Sequence, residues 1–466
     1  MKCITRLKTR LWALATYLKV LRNFRLPAWR RYVKCWLNQL IRQRGKPNTL
    51  TKHLVILAWE FPPTVSAGVY RPASFARYAS EQGWRVTVIC GALPDKPTSA
   101  GTYLTGAIPD SVEVHYVTDT PIWPHPSPLT RIDGGIGNAL NVYEKACAIL
   151  EDLEPGIILA SGPPFNNFIA ATWLARRFGW KLVLDYRDEW TNNPFEFTMK
   201  DKVNAKWEAH CLRHADHVIF TTQSQLEYHG TRFPSLIDQR NTSCDRGSVI
   251  FNGWEPRDFS NQSTNVDLTP LQGRKLSLAF FGNLGPAAHP EEFLATMSKV
   301  YDQHPSLLET TQIIFVGFKQ PIVLEQLENF PYPDNLLLID QVSKAEAVVM
   351  MREADALLLL NTTALFRYIG GKLYDYLASK TPILFYGEGG EMATIVENLK
   401  AGIVIPYSDP AALTRAIESL QCKEVKPDQH KIQWLQSRTR ENQAKQLLST
   451  LSRLVQIDPP RVTSNK

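Results

Sequence analysis

At 466 residues the chain is too long for one ordinary core and suits two domains, and its 44% hydrophobic and 21% charged content allows a well-buried interior. Its net charge of +7 is uneven: residues 1–52 carry fourteen basic groups and no acid, leaving 38 basic against 45 acidic residues beyond, and so mildly acidic a body excludes general nucleic-acid binding. The seven cysteines, Cys3, Cys35, Cys90, Cys147, Cys211, Cys244 and Cys422, are odd in number, widely spaced and free of any C-x-x-C pair, which argues against a disulfide framework or structural zinc and fits a reducing cytoplasm.

The basic arm, 1–52, has Leu7, Leu11, Leu14, Leu18 and Leu21 at helical spacing, with Lys8, Arg10, Lys19 and Arg22 between them. Beyond Pro27 a second such stretch carries Trp29, Tyr32, Trp36, Leu37 and Leu40 among Arg30, Arg31, Lys34 and Arg42. Basic amphipathic helices of this kind lie in the headgroup layer of anionic membranes, and an anionic membrane surface is the expected partner. Packing on the acidic body and service as a targeting segment are the other two readings. No uncharged run approaches the roughly 20 residues that span a bilayer. Peripheral association with the inner face of the membrane is the resulting expectation.

From 53 the pattern becomes strand, loop, helix, strand. HLVILAWE (53–60) is a continuous apolar run suited to a buried parallel strand, followed by FPPTVSAGVYRP, a helix over 72–82 and the strand WRVTVIC over 84–90. Further strands are expected at 112–117, 156–161, 181–190, 217–222 and 247–253, with a helix near 169–178. The segment 118–137, rich in Pro and Gly and carrying Ile122 and Trp123, reads equally as an acceptor loop or a surface connection. The first domain thus spans 53–257, and the loops after Glu60, Ser161, Leu184 and Phe220 are expected to line one cleft.

The second domain, 258–430, opens on a linker without periodicity over 258–273 and then LSLAFFGNLG over 276–285. Strands follow at 312–317, 335–340, 354–360 and 381–387, with helices at 344–352 and 371–379. The last region, 431–466, holds one long helix over 433–455 and a tail. The fold class is α/β, two doubly wound Rossmann-like domains facing across a cleft, with a basic amphipathic helical arm in front. Neither unit shows a full G-x-G-x-x-G after its first strand, which disfavours a dehydrogenase.

The order and spacing of EFPPTVSAGVYRP, LDYRDEWTNNP, VIFNGWE, FFGNLG and KLYDYLASKTPIL resemble the retaining glycosyltransferases of GT-B fold, the group 1 or family 4 type, over 52–455. The resemblance implies a nucleoside-diphosphate sugar as donor substrate and a glycan or lipid-linked acceptor, with no separate cofactor. It implies that Asp375 accepts hydrogen bonds from the ribose hydroxyls, for which an acceptor-only carboxylate is suited. Eight positions earlier the family has a second acid, where this chain has Arg367. That guanidinium is an expected diphosphate ligand. Gly370, Gly371 and Lys372 offer backbone N–H groups and an amine at a helix start. The family's Arg and Lys after the first strand of the second domain are missing from GNLGPAAHPEEF, where Asn283 is the polar candidate and His289 a weaker one. Positive charge is then expected from Lys372, Arg367 or Arg71. Gly68 matches the family's glycine loop.

LDYRDEW places Asp185, Arg187, Asp188 and Glu189 at a strand end, where alternation puts Asp185 and Arg187 on one face and Asp188 on the other, and where they bind acceptor hydroxyls or brace the site as an ion pair. Asp188, Arg187 and Arg71 are the expected catalytic set; Gly68, Asn283, Arg367, Gly370, Gly371, Lys372 and Asp375 are the expected donor set. No metal ligands are assigned, because no D-x-D motif stands at a strand end. Retention by this family needs electrostatic support for the departing diphosphate more than a strong protein base. A sugar-nucleotide epimerase and a non-catalytic nucleotide-sugar-binding scaffold are the competing readings.

Overall fold

The computed structural model describes residues 50–91, 93, 98–118, 132–195, 198–234, 246–260, 266–271, 275–285, 288–422 and 429–456. Nearly all of the basic arm and most of the segment expected as an acceptor loop lie outside the described residues. Within them, no helix is long and apolar enough to cross a membrane.

Two sheets form the frame, and every strand pair in both is parallel. The first contains β1 (His53–Ala58), β2 (Arg85–Cys90), β3 (Val112–Tyr116), β4 (Ile157–Gly162), β5 (Lys181–Tyr186), β6 (His217–Phe220) and β7 (Gly247–Val249), in the order 3-2-1-4-5-6-7. The second contains β8 (Leu276–Phe281), β9 (Thr311–Val316), β10 (Leu336–Ile339), β11 (Ala356–Leu360), β12 (Ile383–Tyr386) and β13 (Gly402–Ile405), in the order 10-9-8-11-12-13.

Both faces of each sheet are covered, as continuous apolar strands demand. In β1, Val55 and Leu57 join one core with helices α2 (Ile136–Leu150) and α3 (Asn166–Phe178), while Leu54 and Ile56 join another with α1 (Tyr70–Glu81). In β8, Ala279 and Phe281 face a core with α7 (Lys344–Glu353) and α8 (Gly371–Ser379), while Leu278 and Phe280 face α6 (Glu291–Gln303) and α10 (Pro410–Gln421). The remaining labelled helices are α4 (Lys202–His214), α5 (Gln223–Arg232), α9 (Gly390–Asn398), α11 (Gln429–Ser437) and α12 (Arg440–Gln456). The two units are Rossmann-like domains.

Three sequence expectations change. The long helix over 433–455 is two helices, α11 and α12. The chain breaks because Trp254 donates its N–H to the Arg438 carbonyl at 3.1 Å and accepts from the Arg440 N–H at 2.8 Å. Ala444, Leu447, Leu448 and Leu451 of α12 then enter the core around α1, so the polypeptide crosses back onto the first unit. The strand over 181–190 ends at Tyr186. Arg187 makes the last ladder bond, to the Gly162 carbonyl at 3.0 Å, and the chain then turns so that Trp190 stacks on Phe165 at 4.8 Å. A further strand, β13, closes the second sheet where no strand was expected.

Strand order reverses between β1 and β4 and again between β8 and β11. Connections leave in opposite directions there, opening a crevice beyond the carboxyl ends. Glu60 and Gly68 follow β1, and Pro163 follows β4; Gly282 and Asn283 follow β8, and Arg367 to Lys372 follow β11.

Candidate active site

The first domain's wall is built around Arg187. Its Nη1 lies 3.3 Å from Glu60 Oε2, and its Nη2 donates to the Pro163 carbonyl, so one guanidinium ties both lips of the β1/β4 crevice. Gly68 backs onto this pair. A Cβ there would stand 1.8 Å from both Arg187 Nη1 and Glu60 Oε2, so the glycine leaves room for the ion pair. Asp188 makes no hydrogen bond among the described residues. Burial raises its pKa above the usual carboxylate value, Arg187 opposes the shift, and Glu189 and Glu60 add to it.

Arg71 is placed differently from expectation. It is 3% exposed and fully engaged: Nε bonds both oxygens of Asp185 at 3.0 Å, Nη2 bonds Oδ1 at 2.7 Å, and Nη1 donates to the Ile250 and Phe251 carbonyls at 2.9 Å. Asp185 is 0% exposed and also accepts from Ser161 Oγ at 3.0 Å. The group braces the end of β5 against α1 and the chain that follows β7. Asp185 and Arg187, expected on one face, take different partners.

The second domain's wall holds Lys372, Gly370, Gly371, Asp375 and Asn283. Gly282 has φ +120°, and a Cβ there would meet Lys372 Cε at 2.5 Å. The lysine therefore lies against the β8 turn, with Nζ 4.8 Å from the Phe280 ring centroid. It forms no ion pair among the described residues. Burial lowers its pKa to about 8, with Asp375 acting weakly in the other direction. Gly370 caps α8 and donates its N–H to Met392 Sδ at 3.3 Å, while no atom lies within 4 Å of a Cβ built on Gly371. Asp375 is held through Oδ2 by Lys344 Nζ at 2.5 Å, a partner that sequence reasoning missed. The capping box of Ser343 and Glu346 marks that helix start, yet nothing along the chain shows that it faces Asp375. Asn283 is exposed.

Arg367 links the walls. Nε and Nη2 grip the two oxygens of the fully buried Glu189 at 2.8 and 2.6 Å, and the guanidinium stacks 4.1 Å from the Tyr228 ring centroid. Its carbonyl accepts from Thr222 Oγ1 at 2.6 Å, and nearby Glu391 accepts from the Ser224 N–H at 3.0 Å. In this structure, then, the guanidinium expected on the diphosphate is occupied by a carboxylate of the other domain.

The Glycosyl transferase 4-like domain matches residues 68–235, and Glycosyl transferases group 1 matches residues 275–422. The chain belongs to the group 1 glycosyltransferases. No curated protein matches it significantly in sequence. Its fold is similar to sucrose-phosphate synthase from Thermosynechococcus elongatus, with a TM-score of 0.61, 14% identity, and coverage of 86% of this chain and 98% of that one. It is also similar to Anabaena HepE in complex with UDP and glucose, with a TM-score of 0.54, 14% identity, and 87% and 97% coverage. A structure named trehalose-6-phosphate from E. coli, bound with UDP-2-fluoro glucose, gives a TM-score of 0.60, 12% identity, and 86% and 98% coverage. Identities this low establish a shared GT-B fold; the family rests on the domain matches.

For a group 1 glycosyltransferase lacking Arg and Lys after β8, the geometry narrows the expected cations. Arg71 is sealed against Asp185 and Arg367 is clamped to Glu189. Of these three, Lys372 is the cation that forms no ion pair among the described residues, and it lies under the very turn from which the family's basic residues are missing.

Proposed function

We propose that this glycosyltransferase moves a sugar from a nucleoside-diphosphate sugar to a hydroxyl of a glycan or lipid-linked acceptor, with retention. The observation that carries the reading is Lys372, an amine in no ion pair among the described residues, against the Gly282 turn at the start of α8, where helix geometry leaves the N–H groups of Gly371 and Lys372 without intrahelical partners. Those N–H groups and the amine hold the diphosphate. Asp375, with Lys344 on one oxygen, offers the other to a ribose hydroxyl. Asn283 reaches the phosphates from the β8 turn. Arg187 and Asp188 form the first domain's wall at the reacting sugar. The departing diphosphate takes the acceptor's proton on the face from which it leaves, and Lys372 stabilises the charge that develops on it. Neither a metal nor a cofactor is assigned a role, and turnover is expected to survive EDTA. Residues 1–52 bring the protein to an anionic membrane surface where a lipid-linked acceptor resides.

The test uses the full chain. Calorimetric titration with UDP, GDP and their common sugar conjugates identifies the donor, and turnover with a membrane extract followed by NMR of the new linkage reports retention. Asp375→Ala is expected to weaken donor binding by roughly ten- to a hundredfold, the worth of hydrogen bonds to a charged acceptor. Wild-type protein that binds none of these nucleotides would overturn the reading.

One observation favours a second reading. Arg367 stands where the family has an acid and is locked to Glu189, which suits a partner subunit that would bind a sugar nucleotide without transferring it. Tight binding with no transfer to any extract would select it.

A further inference from the structure

The bidentate bridge between Arg367 and Glu189 brings their chain neighbours, Tyr368 and Asp188, to the same seam between the domains, near enough for the Asp188 carboxylate to act electrostatically on the Tyr368 phenol. Tyr368 is 6% exposed, and among the described residues its phenol oxygen has no hydrogen-bond partner of good geometry. The backbone N–H of Glu189 and the carboxylates of Glu189 and Asp188 bear on it, but none accepts its proton. Asp188, half-buried on the first domain's side, is an acceptor with no donor among the described residues. A buried hydroxyl left unmatched is costly, and native proteins keep few of them. Here the two unmatched groups are complementary in kind, a donor and an acceptor, and they come from different domains.

We infer that Tyr368 and Asp188 form a two-sided subsite for one hydroxyl of the transferred sugar, the phenol donating to its oxygen and the carboxylate accepting its proton. A sugar hydroxyl is the group that both accepts and donates from one atom. Tyr368 lies three residues before Gly371 on the same turn, so a sugar attached to a diphosphate at α8 extends past it toward the first domain. The subsite thus rests on the donor reading above and adds a specificity-determining residue to it. A site built to bond a hydroxyl rejects an analogue lacking it far more strongly than an apolar pocket rejects a missing methylene.

The experiment compares full-length wild type, Tyr368→Phe and Asp188→Asn. Because it removes an unmatched buried hydroxyl at constant shape, Tyr368→Phe is expected to raise the melting temperature of the empty protein by about 2 °C or more. Titrated with UDP and GDP, the variant is expected to match wild type. Titrated with UDP-glucose, UDP-galactose, UDP-N-acetylglucosamine and GDP-mannose, it is expected to lose about tenfold in affinity for whichever conjugate wild type prefers. Asp188→Asn should lose the same preference, and deoxy analogues of that sugar should identify one position to which both variants have become indifferent. A lowered melting temperature with parallel loss of nucleotide and conjugate would make the phenol structural and overturn the subsite. So would a loss confined to acceptor KM, which would assign the hydroxyl to the acceptor. Failure of wild type to bind any nucleotide would instead bring down the donor reading, and the subsite with it.

Discussion

Lys372→Met reduces affinity for a nucleoside diphosphate by roughly a hundredfold, because it removes the positive charge opposite the phosphates. The sign of the pH dependence follows from the direction of the shift. Burial holds the amine's pKa down to about 8 in the empty protein. A bound diphosphate raises it again, since an adjacent anion favours the charged form. Binding above pH 8 therefore takes up a proton, and affinity falls with rising pH, by up to about tenfold per unit, from a plateau below pH 8. Lys372→Met flattens that profile, and calorimetric titration from pH 6.5 to 9.5 reads both effects. Stability moves in the opposite sense. The folded amine binds its proton less tightly than the unfolded one, so Lys372 disfavours the empty fold below about pH 8, and stability rises as pH climbs from there toward the unfolded value of 10.5. The variant is consequently more thermostable than wild type at pH 7 in the absence of ligand. A residue retained merely for packing would show neither the pH slope nor this inverse relation between stability and binding.

The course of the chain was largely readable because parallel strands buried on both faces are continuous apolar runs, and the crossover helices between them carry their own period. HLVILA, KLVLDY and LSLAFF signal their strands by composition alone. Elements failed to show where tertiary contacts override local pattern. The strand Gly402–Ile405 is only four residues long, begins with glycine and is drawn into the sheet by pairing with β12. The break between α11 and α12 is made by Trp254, far away in sequence. The same limit applies to charge. Asp185, Arg187, Asp188 and Glu189 lie within five positions, and spacing says nothing about which of them meets Arg71, Glu60, no hydrogen-bond partner among the described residues, or Arg367. Tyr368 stood beside the family's missing acid as one aromatic among sixteen tyrosines. Its importance arises from the bridge next to it, which couples two points 178 residues apart.

Arg71→Met is expected to damage the first domain's stability while leaving nucleotide binding by the second intact. The arginine and Asp185 are both out of water, and Asp185 is held by the guanidinium and by Ser161. Removing the guanidinium leaves a buried carboxylate without its counter-charge. It also strips the Ile250 and Phe251 carbonyls of a shared donor and the Phe75 ring of a cation 4.7 Å from its centroid. Breaking such a pair from one side costs about 3–5 kcal/mol, against total stabilities of about 5–15 kcal/mol. The melting transition of the first domain should fall by about 10 °C. Asp185→Leu alone should be comparably harmful, because it leaves the guanidinium charge buried with only carbonyls around it. The double variant Arg71→Met with Asp185→Leu should recover much of the loss, since two apolar groups of similar volume carry no desolvation penalty, and this non-additivity is what distinguishes a brace from a catalyst. Were Arg71 a catalytic cation, the double variant would be folded but inert, and Arg71→Met would lower turnover at a temperature where its fold is intact. Denaturation curves together with turnover at 15 °C on the three variants separate the two cases, with the recovery in stability expected to be matched by a recovery in activity.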